Sequence, residues 1–266
     1  MTVLAAEGAQ TVLAAEDIVN HLLDFELPWG ITAHQVLLGA VAVFTIGLFW
    51  WAAKQIKTQP KKTGIVALLE VGLVFVRDDI VYPWLGSERG RRYLPFFWTL
   101  FFFILFSNLI GLAPFPINPW ERTATGNLAV TAALALIVFV MVQVSGMMQH
   151  GWGRYWINLV PHGTPKALWP LVFVIELIGL FTKPFALTVR LFANMTGGHA
   201  ILLVLFSFLL GIRHYGSPVL GVPSTVASFG FILFIMLFEV LVALIQAYIF
   251  TTLTAIFTSL AVAEEH

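Results

Sequence analysis

Arg190 is the residue that most needs a chemical account, because it stands in the run Phe181–His199 with Lys183 as the only other formal charge. A guanidinium keeps its proton at any biological pH. Near a bilayer midplane such a charge costs about 2.5 to 3.5 kcal/mol even on insertion scales. Between Leu171 and Ile212 the other charges are Glu176 and Lys183 alone. The nearest interface therefore lies about a dozen residues away, farther than a snorkelling side chain reaches. The bland alternative is an arginine quietly paired with a buried acid; the spacing favours a cation with work to do.

On a helix, Glu176, Lys183, Arg190 and Gly197 recur every seven residues and drift by only about 20° per step, with Asn194 one turn past the arginine. They make one polar stripe. Farther along, Glu239 and Gln246 are also seven apart and share a face. If a turn centred on Pro218 folds the two stretches into an antiparallel hairpin, Arg190 faces Gln246 and His199 comes near Glu239. Polar glue between membrane helices would account for Asn194 or Gln246 singly. A set of Glu, His, Gln, Asn and Arg at matched depth fits an ion or proton route better, since ionisable groups inside membranes line such routes. Histidine titrates near neutrality and a neighbouring carboxylate can share its proton, so His199 and Glu239 are candidates for a relay. Glu176 lies about 21 Å from Arg190 along the helix, toward the opposite membrane face. It is either part of an exit route or a partner for Lys183.

These residues need long apolar elements to hold them, and the composition supplies such elements. The 266-residue chain is 59% hydrophobic and 11% charged, with a mean hydropathy of +0.90, which marks a polytopic membrane protein. Its 14 basic and 14 acidic residues cancel, giving no reason to expect nucleic acid as a partner. With no cysteine, thiol chemistry and cysteine metal sites are excluded. The seven histidines show no His-Glu-x-x-His or similar spacing, so neither a metal site nor a cofactor is expected.

The expected fold is all-α. Residues 1–30 form an outer-side segment, acidic at its start and unlike a signal peptide, with the repeat Thr-Val-Leu-Ala-Ala-Glu at 2–7 and 11–16. Residues 31–266 form a single membrane domain of about five membrane-embedded helices plus one surface helix. Spans are expected at 31–53, 93–112 and 127–148. Residues 64–85, which include Glu70, Arg77, Asp78 and Asp79, read either as an amphipathic surface helix or as one packed on other subunits. The segments 167–212 and 224–263 are too long to stand upright, at roughly 60 Å against a hydrocarbon core of about 30 Å. Lys183-Pro184 bends a helix more readily than it reverses one, so both are expected to be long, tilted helices forming the hairpin. Loops are expected at 113–122, 149–166 and 213–223.

With the N-terminus outside, ten basic residues fall on the inner side, Lys54, Lys57, Lys61, Lys62, Arg77, Arg89, Arg91, Arg92, Arg154 and Lys166, against only Arg122 and Arg213 outside. The positive-inside rule selects that orientation.

Lys183-Pro184, Leu187, Arg190-Leu191, Asn194, Gly198-His199, Gln246-Ala247 and the terminal Glu264-Glu265-His266 resemble subunit a of the F-type ATP synthase. Gly163-Thr-Pro, Glu176, and Asn108 ahead of Leu112-Ala-Pro fit as well. The resemblance spans roughly residues 60–266. It implies a proton-conducting stator subunit in a bacterial plasma membrane, in contact with lipid and with the b subunits of a peripheral stalk, its two tilted helices curving around a rotating c-ring. Arg190 matches the family's essential arginine, and Asn108, Asn194, Gln246, Glu176, His199 and Glu239 fall along the implied proton path. In one well-known bacterial pattern an acid stands at the position of His199 and a histidine at that of Glu239; here the two types are exchanged. Sodium is disfavoured, since no extra carboxylates and hydroxyls cluster near Glu239.

Two other classes fit less well. A secondary transporter would show half-length repeats, and none is visible. A passive membrane anchor would tolerate any substitution at Arg190 that preserves folding.

Overall fold

The computed structural model describes residues 26–27, 31–58, 64–112, 124–157, 159–160, 164–165, 167–215 and 218–263. Side chains at 26–34, 56–58, 124, 199, 202–203 and 205–228 lie outside that description. The N-terminal repeat, the basic residues Lys57, Lys61 and Lys62, and the terminal Glu264-Glu265-His266 also fall outside it.

The described chain is almost wholly helical: α1 (Ala33–Thr58), α2 (Ile65–Phe75), α3 (Tyr82–Gly111), α4 (Leu128–His150), α5 (Trp152–Ile157), α6 (Trp169–Tyr215) and α7 (Pro218–Val262). A wide π-helical stretch, Val76–Val81, joins α2 to α3. The strands described are two residues each, β1 (Glu26–Leu27) paired antiparallel with β2 (Ile31–Thr32). Five helical stretches are long and apolar enough to cross a membrane. The molecule is therefore an all-α polytopic membrane protein.

Local chemistry sets the helix ends. Asn127 caps α4 by accepting a 2.7 Å hydrogen bond from the Ala129 N–H, satisfying one of the donors a helix start leaves free. Gly151, at φ +82°, ends the same helix, in a conformation that costs glycine little. Gly86, at φ +72°, breaks the helical path inside α3. Pro184 lies within α6 without ending it, and the Thr188 hydroxyl donates to the Pro184 carbonyl.

Residues 86–92, with Arg89, Arg91 and Arg92, are helical apart from the bend at Gly86. Expectation and structure differ in two places. The expected loop 149–166 contains the short helix α5. Most of the expected loop 213–223 is also helix, because Pro218 opens α7; proline is well suited to a first helical position, where its missing N–H has no partner to lose.

The core lies between α3 and α7. Phe97, Leu100, Phe101 and Ile104 of α3 pack with Ala247, Phe250 and Ala255 of α7, all at most 5% exposed. α1 joins through the edge-to-face pair Phe49–Phe102, 5.0 Å between centroids. α2 is tied on by the Trp98 indole N–H, which donates to the Leu73 carbonyl at 2.9 Å. The C-terminal end of α7 is held by Arg89, donating to the Val262 carbonyl, and by Ser259, donating to that of Trp84. α6 packs mainly against α4 and α7, completing the hairpin.

Candidate functional site

The α6–α7 register can be read from two contacts. Asn194 Nδ2 donates to Gln246 Oε1 at 3.0 Å. Gly198 meets the Glu239 carboxylate so closely that a Cβ there would stand 2.9 Å from its Cδ and overlap Oε1. Both contacts agree, within one helical turn, with the antiparallel pairing expected from a turn near Pro218. The partner of Gln246 is Asn194, one turn beyond the expected Arg190.

Arg190 points out. It is exposed, as is Asn194, while Leu187, Leu191 and Met195 occupy the packed face of the same helix. Among the described residues, none forms an ion pair or hydrogen bond with Arg190. Its neighbours on the same face of α6, Ala186, Ala193 and Gly197, are small and exposed as well, so the guanidinium stands clear of the helix surface.

To one side of Arg190 along α6 lies Glu239, 8% exposed, whose Oε1 has no hydrogen-bond partner among the described residues. The absence of a side chain at Gly198 leaves room for this carboxylate. His199 follows Gly198, and its side chain lies outside the described set. Asn108, at the C-terminal end of α3, is fully buried; its oxygen accepts from the Thr125 hydroxyl at 2.7 Å, and its Nδ2 has no partner among the described residues.

To the other side of Arg190 is a cavity of about 360 Å³ between α4, α5, α6 and the end of α7. Glu176 and Lys183 line it, with Gln143, His150, Tyr155 and Phe257. Lys183 Nζ lies 5.2 Å from the Phe257 ring centroid. No ion pair joins Lys183 to Glu176 among the described residues. The sequence reading missed Gln143, Tyr155 and Thr125. The available signal for Gln143 was a lone amide deep in the apolar run 127–148.

Comparison with known proteins now bears on these residues. Residues 35–259 match the family described as ATP synthase A chain. The chain belongs to this family. It is 44% identical to ATP synthase subunit a of Myxococcus xanthus over 92% of its own length and 77% of the relative's. With the protein of the same name from Chloroherpeton thalassium it shares 40% identity, over 93% and 75% of the two chains. The subunit a of Chlorobium phaeobacteroides is 38% identical over 98% and 79%. Membership carries the coarse role: a multi-pass membrane component serving proton transport in ATP synthesis.

Proposed function

We propose that this chain is the stator against which a ring of hairpin subunits turns, each presenting a membrane carboxylate to Arg190. The observation that carries the reading is the exposed Arg190, which has no hydrogen-bond or ion-pair partner among the described residues and is set on α6 between two separate polar regions. One contains Glu239, Gly198 and, in the next position, His199; the other is the cavity around Glu176. Buried polar atoms without protein partners mark places where water or a proton is expected.

The two regions serve as offset half-channels. With the positive-inside orientation, the Glu239 side opens outward and the Glu176 side inward. A proton taken up from outside passes through His199 and Glu239, with Asn108 on the same half of the molecule, and neutralises a ring carboxylate. The neutral carboxylic acid can then travel facing lipid. On reaching Arg190 from the other side, it meets a permanent cation that favours its ionised form, and the released proton leaves by the Glu176 cavity. The same fixed charge bars direct passage between the half-channels. Asn194 and Gln246, hydrogen bonded one turn away, hold α6 and α7 together beside the arginine. The c-ring, the b subunits of the peripheral stalk, surrounding lipid and a bacterial plasma membrane complete the setting.

The test is Arg190→Ala in the assembled complex. The variant is expected to assemble and to lose proton-driven ATP synthesis. Near-normal coupled synthesis would return the chain to the passive-anchor reading.

A further inference from the structure

The inner cavity contains a polar pair that the stator mechanism does not use. Gln143, on α4, is 6% exposed and lines the cavity, and its Nε2 has no hydrogen-bond partner among the described residues. Its Oε1 accepts a hydrogen bond from the Tyr155 hydroxyl of α5. Tyr155 is 7% exposed and packs so tightly on Gly146 that a Cβ there would overlap its ring. Burial raises the phenol above its ordinary pKa, so the hydroxyl remains a donor and fixes the amide with its NH₂ end free. Glu176 and Lys183 occupy the α6 wall of the same cavity.

Resting on the exit-route assignment above, we propose that Gln143, oriented by Tyr155, is the polar α4 wall of that route, its Nε2 holding the water through which protons leave. Three points support this. A buried amide hydrogen without a protein acceptor is costly in a membrane interior unless water meets it. The cavity has room for several waters. The α5 helix, whose local role is to carry Tyr155 back over Gly146, closes the cavity beside this amide. Gln143 and Tyr155 are positioning residues: they hold solvent and do not themselves exchange the transported proton.

A structural pair and a route wall respond differently to removal of both polar groups. Replacing both hydrogen-bond partners by apolar groups of similar shape is nearly neutral or stabilising for packing. The double variant Gln143→Leu with Tyr155→Phe is therefore expected to assemble fully and resist detergent as well as the parent. Proton conductance through membrane sectors stripped of their soluble part is expected to fall about fivefold, the scale of one lost hydrogen bond on a barrier. Unchanged conductance in the assembled double variant overturns the proposal. If the double variant fails to assemble, Gln143→Cys in this cysteine-free chain decides. Silver ion supplied from the inner face should modify that cysteine and block conductance; a cysteine silent to silver overturns the proposal as well. Arg190→Ala measured in the same membranes separates the two levels. If it retains coupled synthesis, the stator reading falls; if it loses synthesis while the Gln143 variants conduct normally, only the wall assignment falls.

Discussion

α3 and α6 are both long apolar helices in one bundle, yet they are built for opposite purposes. Over their most apolar stretches, 56% of the segment containing α3 is buried inside the chain, against 11% for α6. α3 fills its surroundings with Phe97, Leu100, Phe101 and Ile104. Among its described side chains α6 presents one narrow packed face, Leu187, Thr188, Leu191 and Met195, and leaves most of its other large apolar residues exposed. Hydropathy cannot tell them apart, because lipid, a neighbouring subunit and the protein's own core all accept leucine and phenylalanine. The difference lies in where the polar residues stand. On α3, Ser107 and Asn108 are buried in the bundle, whereas on α6 Arg190 and Asn194 face out.

That contrast can be broken most severely at Arg190. Arg190→Lys keeps a cation of similar reach but loses the planar fork, and an ammonium can shed its proton when desolvated. ATP synthesis in membrane vesicles is expected to fall by about a hundredfold or more, the range of a lost positioned charge, with normal amounts of subunit. Parent-like synthesis would show that any cation suffices.

On α3 the expected damage is to stability. Phe97→Ala removes a fully buried ring and should cost about 3 to 5 kcal/mol. The readout is loss of assembled complex on native gels. An assembled variant with impaired proton flux would contradict the division of labour between the two helices.

A smaller effect is expected at the α6–α7 contact. Glu239→Gln preserves shape against Gly198 and removes the titrating group, so proton uptake driven by an imposed potential should slow about tenfold. Glu239→Asp should slow it less, and His199→Glu combined with Glu239→His should retain partial flux. Full-rate uptake in Glu239→Gln would leave this pair as packing. The mildest prediction is Glu176→Gln. Glu176 lines an open cavity and is not paired with Lys183, so proton release should slow about two- to threefold, as when an attracting charge at a channel mouth is lost. An unchanged rate would reduce Glu176 to a solvated cavity residue.

Much of the site could be read from sequence because it depends on spacing. The seven-residue interval from Glu239 to Gln246 and the stripe through Arg190 have meaning on any helix, and a single turn fixes how two antiparallel helices pair. The expectation was Arg190 opposite Gln246 and His199 near Glu239; the structure puts Asn194, a turn past Arg190, on Gln246, and Gly198, the residue before His199, against Glu239. Contacts between elements separated by a bend were not legible. Tyr155 reaches Gln143 because Gly151 takes a positive φ and turns α5 back over Gly146, and nothing in the run Gln149–Lys166 announces that path. Nor does periodicity reveal that Asn108 would be met by Thr125 from a short 3₁₀ turn. The tie between Arg89 and the Val262 carbonyl was not legible either, since it joins residues 173 positions apart.

α7 carries three further hydroxyls in its buried face, Thr251, Thr254 and Thr258, each fully inaccessible. Each donates to the carbonyl four residues earlier, at 2.7, 2.8 and 2.7 Å. Their hydrogens are thus committed within their own helix, and a hydroxyl whose donor is engaged sideways does not pass a proton along. These three hydroxyls are therefore locked to the backbone and offer no relay along this face of α7. Three hydroxyls can thus sit inside a strongly apolar span without exposing an unmet donor to it.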